Sequence, residues 1–217
     1  ALRLISASQY RDTETGAQLH LLGHNTAFMA DKMGIDKDKI DMLRVAAPMH
    51  DIGKIGIPDA ILLKAGPLDE DEWETMKTHT TIGASILNGS KTELMQLAET
   101  IALQHHERWN GSGYPSGLAG EDIAIEARMV AVADVYDALT HDRVYKEAWP
   151  ESEALQLIED EIGEHFDPDI ARLFLDHSGQ IHEIRVDNRE DSNEFGSQWQ
   201  RSSGRTPSLN ALGVAET

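Results

Sequence analysis

The chain contains no cysteine, which excludes disulfides, thiolate metal centres and cysteine nucleophiles together. Any metal bound here has to be held by imidazole and carboxylate. Aromatic residues are scarce, at 6% of 217, but the apolar share of 40% is enough to build a core. That length suits one domain of ordinary size or at most two small ones. No apolar run approaches the roughly 20 residues that cross a bilayer, and no signal peptide is visible. A cytoplasmic location without membrane insertion is therefore expected. The first residue is Ala1 rather than Met, as in an excised domain. Positive charge is scarce as well: 19 Lys and Arg stand against 38 Asp and Glu, a formal net charge of −19. Such a field opposes long nucleic acid and anionic membrane. An anionic substrate would need local cations, from metal ions or a few placed Arg and Lys.

What is present is helical periodicity. Leu19, Leu22, Thr26, Met29 and Met33 form one stripe, closed by Gly34. Ile40, Leu43 and Ala47 form a second that leads into His50, with Pro48 bending it by removing a backbone donor. Further helices are predicted over Asp69–Leu87, Thr92–His106, Asp122–Leu139, Glu151–Ile162 and Asp167–Asp176. The last of these has Asp167 as N-cap and Pro168 at its first position. Ile181–Val186 reads as a strand or an extended exit. Residues 187–217 are polar and nearly aperiodic, so they are expected to be a disordered tail or linker beyond a domain spanning 1–186. The predicted class is all-α.

Chemistry concentrates on the histidines. There are ten, and they are unevenly placed. His50 is followed at once by Asp51, His105 and His106 are adjacent at a predicted helix end, and His79 lies on a helix between them. Asp134 lies on the helix after the loop Asn110–Gly117. A lone histidine on an apolar helix is more often a hydrogen-bonded core residue than a ligand, and a single His-Asp pair is a weak signal. The ordered set is much less expected by chance. Imidazole and carboxylate together suit iron, manganese, zinc or nickel rather than magnesium or calcium. A carboxylate such as Asp51 can bridge two ions, and paired metals are a standard phosphodiester clamp. His50, Asp51, His79, His105, His106 and Asp134 are thus read as a multi-metal site for a phosphate ester.

The stretch Ala47–Pro58, then His79, then His105–Pro115, then Asp134–Thr140 resembles the bacterial HD-GYP family, within the wider HD phosphohydrolases. The resemblance runs from about Arg11 to Asp176. It implies an HD-type helical bundle with the metal site between helices and metal-dependent hydrolysis of cyclic di-GMP to linear pGpG, with further processing to GMP in view. It makes His50, Asp51 and Asp134 ligands of one ion, with Asp51 bridging to a second ion held by His79, His105 and His106. Iron or manganese comes first as the metal, zinc or nickel next, and Glu14 matches a ligand of a less expected third ion. The resemblance sets Lys54 beside the metals to neutralise or protonate a phosphate oxygen, although by itself it reads as a surface lysine in a turn. Gly113, Tyr114 and Pro115 match the signature loop, and Arg143 and Lys146 match positions that grip substrate phosphate. Asp137 divides evenly between a role beside the metals and pairing with Arg143 along its helix. A diguanylate cyclase or an upstream regulatory domain is the implied protein partner.

The sequence departs from the family pattern at Gln18, where a histidine usually completes the first metal's ligands. Glutamine offers a neutral carbonyl oxygen, and His20 is turned about 200° away along a helix. The rival expectation is therefore a weak or inactive module that senses a cyclic dinucleotide or binds a protein. A mixed cyclic GMP–AMP dinucleotide is a second substrate to be separated from cyclic di-GMP. A general HD nucleotide phosphohydrolase is disfavoured by Gly113-Tyr114-Pro115 and by Arg143 with Lys146.

Overall fold

A computed structural model describes residues 15–141 and 148–186, and no strand is formed among them. Helix α1, Gly16–Lys32, opens on a reciprocal cap in which the Thr15 hydroxyl accepts from Gln18 N and the Gln18 side chain accepts from Thr15 N. Its apolar stripe buries Leu22, Met29 and Ala30. Helix α2, Lys37–Ala46, starts on the Asp36 side chain. Where the sequence predicts a bend at Pro48, the chain tightens into a 3₁₀ turn over Ala47–Met49, followed by a second over Ile52–Gly56. These turns carry His50, Asp51 and Lys54 between two walls of helices.

The single helix expected over Asp69–Leu87 is two: α4, Glu70–Lys77, and α5, His79–Leu87, after the short α3, Asp59–Leu62. The join at Thr78 is dense in side-chain bonds to the carbonyls one turn back. The Thr78, Thr80 and Thr81 hydroxyls donate to the carbonyls of Thr75, Lys77 and Thr78, and His79 Nδ1 takes that of Met76. The backbone also tightens there, the Thr78 N–H donating to the Thr75 carbonyl three residues back, and His79 stands at the start of the new segment. Helix α6, Glu93–Gln104, ends at His105, and α7, Ile125–Thr140, follows a loop and a 3₁₀ turn at Gly120–Asp122. Helices α8, Glu151–Asp160, and α9, Pro168–Asp176, complete the bundle, with Asp167 capping α9 as the sequence implies.

The 181–186 stretch is helical, within a segment over 178–186, which corrects the strand or extended reading. Ile181 is fully buried, and Arg185 donates to the Thr140 carbonyl at the end of α7. One turn therefore serves both the core and a terminal carbonyl of α7. The expected tail over 187–217 lies outside the described residues.

The core lies where α1 packs on α2 and α7, α2 on α6, and α6 on α5 and α7. Leu43, Met49, Ile101, Met129, Val132 and Tyr136 are all buried there. Ala-rich positions such as Ala98, Ala102, Ala127 and Ala133 let these helices approach closely. No helix among the described residues is long and apolar enough to cross a membrane.

Candidate metal centre

Three imidazoles are fixed by the backbone before any ligand is considered. His50 Nδ1 lies 3.0 Å from the Ala47 carbonyl, His79 Nδ1 lies 2.7 Å from that of Met76, and His105 Nδ1 lies 3.1 Å from those of Ile101 and Ala102. A carbonyl only accepts, so in each ring the proton sits on Nδ1 and the Nε2 lone pair points inward. This is the outer support expected of metal-ligating histidines. The acceptors come from the last turn preceding each histidine, so the 3₁₀ turn, the helix break and the helix end are what aim the rings.

The inward nitrogens converge on Asp51. Its Oδ1 lies 3.3 Å from His79 Nε2 and 3.7 Å from His105 Nε2, and the two nitrogens are 3.4 Å apart. Asp51 Oδ2 faces the other way, 3.1 Å from His50 Nε2 and 2.6 Å from Lys54 Nζ. Asp134 Oδ1 stands 3.8 Å from His50 Nε2. Ligand atoms of Asp51, His79, His105 and His106 all fall within 4.8 Å of one another.

Electrostatics makes this a cation site. Burial alone would raise the Asp51 carboxyl, but the Lys54 ammonium beside it holds it well below the usual carboxylate range, so it is ionised. Burial pushes His79 down to about 4 and His106 well below its ordinary value. Both rings are neutral near pH 7, the form that binds metal. Lone pairs of neutral imidazoles therefore face each other and an anionic oxygen, and Asp51 Oδ1 is buried without a hydrogen-bond donor. A divalent cation satisfies all of them at once, and the donor set fits a transition metal rather than magnesium. The six ligands expected from the sequence and within the described residues are thus brought together.

The loop after His106 is built onto the same cluster. Tyr114 stacks on His106 with ring centroids 4.8 Å apart, and its backbone N–H donates to the His106 carbonyl. Gly113 is required by close approach: a Cβ there would lie 2.3 Å from Arg108 N. Burial drives the Tyr114 phenol upward, with the Asp51 and Asp134 charges adding, so it stays protonated. Glu107, which the sequence reading passed over, is buried and its carboxylate accepts from Ser116 N at 2.8 Å and Leu118 N at 3.0 Å. It clamps the loop that presents Tyr114. A carboxylate directly after a histidine pair and before a Gly- and Pro-rich loop was the available signal. Asn110 accepts from Ser112 N and donates to Glu164.

Asp137 is buried with Oδ1 3.0 Å from His141 Nδ1. Glu14, Arg143 and Lys146 lie outside the described residues. Gln18 is buried, and its carbonyl oxygen, the one atom that could have served a metal, accepts from Thr15 N at 2.7 Å.

The chain is similar to known proteins along most of its length. The sequence pattern of the HD domain family matches residues 6–170. The cyclic di-GMP phosphodiesterase response regulator RpfG of Xanthomonas campestris is 46% identical over 182 residues, covering 84% of this chain and 48% of its own. The 3′3′-cGAMP-specific phosphodiesterase 2 of Vibrio cholerae is 42% identical over 183 residues, covering 84% of this chain and 35% of its own. Among solved structures, a cyclic GMP-AMP-specific phosphodiesterase of V. cholerae shares the fold with a TM-score of 0.58 at 17% identity, over 79% of this chain and 45% of its own. The chain spans about half or less of the length of these proteins.

Proposed function

The chain belongs to the HD domain family, in its HD-GYP group, and from this we propose that it hydrolyses a 3′–5′ phosphodiester of a cyclic dinucleotide, cyclic di-GMP foremost, with divalent metal. The observation that carries the reading is the convergence of Asp51, His79, His105 and His106 ligand atoms within 4.8 Å. The division of the Asp51 oxygens, Oδ1 toward His79 and His105 and Oδ2 toward His50, supports two ions, iron or manganese first. Such ions supply Lewis-acid polarisation of the phosphoryl oxygen and acidify water.

The protein's own groups do the rest. With metal bound, His50, Asp51 and Asp134 would hold one side of the centre and His79, His105 and His106 the other. Lys54, kept beside Asp51 by a 2.6 Å ion pair, offsets the negative charge that builds on the phosphate in the transition state. Water adds to phosphorus, the P–O3′ bond breaks, and the 3′ oxygen leaves with the electron pair and takes a proton. The product is the linear dinucleotide. Tyr114 and its glycine and proline neighbours bound the pocket, and Arg143 and Lys146 hold the second phosphate. Glu14 is reserved for a third ion, and Asp137 supports the substrate side through the end of α7. A cytoplasmic location and a cyclase or regulatory domain as partner go with this reading, as does the 1–186 domain boundary.

The test combines metal analysis with turnover of cyclic di-GMP and of the mixed cyclic GMP–AMP dinucleotide, after loading with iron or manganese. Wild type should form linear product, and Asp51→Ala should lose both metal and activity. A fully metal-loaded wild type that turns over neither dinucleotide would sink the enzyme reading.

A further inference from the structure

Trp73 is a large aromatic left 47% exposed on α4, a helix with no buried residue. It is not isolated. Its ring stands edge-on to Tyr114 at 6.3 Å, Tyr114 stacks on His106 at 4.8 Å, and Tyr114 also meets His79 edge-on at 6.3 Å. A continuous aromatic wall therefore leads from the ligand cluster outward and ends on an indole facing solvent. Lys77, one turn along α4, places its ammonium 5.9 Å from the Tyr114 ring centroid. On a chain of net charge −19, Lys54, paired with Asp51, and Lys77, paired with Glu74, set cations beside the inner part of this wall.

An exposed indole one ring beyond a phosphodiester-binding centre, with cations between, matches a nucleotide in its order of parts: phosphate, then base. We propose that Trp73 is a stacking platform for one purine base of the cyclic dinucleotide, with Tyr114 as the spacer that sets its distance from the scissile phosphate. This rests on the reading of the site as a cyclic dinucleotide phosphodiesterase. One face of Tyr114 is taken by His106 and the ring is only partly exposed, whereas Trp73, 47% exposed, offers a base the larger surface. Stacking tolerates either purine, because each presents a π-face. Trp73 therefore gives affinity for the purine class without choosing between guanine and adenine.

Two measurements separate this from a structural role. In steady-state turnover by the metal-loaded enzyme, Trp73→Ala should raise KM for cyclic di-GMP roughly tenfold or more, the loss of one base–aromatic stack. Metal content and kcat should stay near wild type, and Trp73→Phe should recover most of the affinity. In rapid mixing, cyclic di-GMP should quench indole emission of wild type before turnover, and Trp73→Phe should lose that component. An unchanged KM in Trp73→Ala, or quenching that persists in Trp73→Phe, overturns the stacking role while leaving the enzyme reading intact. A fall in metal content or kcat without a KM change also overturns it, since Trp73 would then act through the cluster. Absence of turnover by wild type strikes the enzyme reading, and the quenching experiment still decides the stack.

Discussion

Replacing Gly53 by alanine should open the metal centre from its far side. Gly53 sits in the 3₁₀ turn between Asp51 and Lys54, against the start of α5, and a Cβ there would lie 1.8 Å from the His79 carbonyl oxygen and 2.4 Å from Gly83 N. Both obstacles are backbone, so neither can swing aside. To bring the first contact out to 3.0 Å, the turn and the helix have to separate by about 1.2 Å. That movement acts directly on the 3.3 Å approach of Asp51 Oδ1 to His79 Nε2. Misplacement on the order of 1 Å lowers rates by about 10²-fold. Overpacking of this kind lowers stability by about 1–3 kcal/mol, or roughly 2–12 °C in Tm for a chain of this size. The assay is kcat/KM on cyclic di-GMP together with metal content and a thermal melt. Gly56→Ala is the matched control, because its new Cβ meets only the side chain of Ile82, which can rotate. Wild-type metal content and activity in Gly53→Ala would refute the argument that this close contact sets the geometry of the cluster.

Two further predictions address single residues. Gln18→Ala should lower stability by about 0.5–1 kcal/mol through loss of the reciprocal cap with Thr15, with metal content unchanged. A drop in bound metal would make Gln18 a ligand after all. Burial and the nearby Arg108 charge hold His165 down at about 4, below its ordinary value near 6.5. The unfolded chain therefore binds the extra proton first, so stability should be intact above about pH 6.5 and decline as pH falls toward 4. His165→Gln should show a shallower decline in urea melts across that window, and an identical slope would count against the assignment.

Much of the site was legible in the order of residues alone. The pairs His50-Asp51 and His105-His106, the intervening His79 and the later Asp134 are all metal-ligand types on helical segments, and the sequence excludes thiolate as a competitor. The caps at Asp69 and Asp167 were equally open to reading, since capping depends on neighbours within one turn. What the sequence could not determine depended on competition between local and distant partners. The helix break at Thr78 falls where the Thr78 N–H turns to the Thr75 carbonyl three residues back, a tightening that apolar periodicity does not report. The helical 178–186 segment is settled by Ile181 entering a core built by other elements.

The same division holds for chemistry. Sequence by itself determined which atoms are available to a metal: imidazole nitrogens and carboxylate oxygens, in an order that resembles one family. Tertiary structure decided how they are used. It fixed the tautomer of His50, His79 and His105 through backbone carbonyls and turned the two oxygens of Asp51 toward different partners. It also set Trp73 at the end of an aromatic wall that begins at His106. Distances of 3–6 Å between residues tens of positions apart follow from how helices pack, and packing is a property of the whole chain.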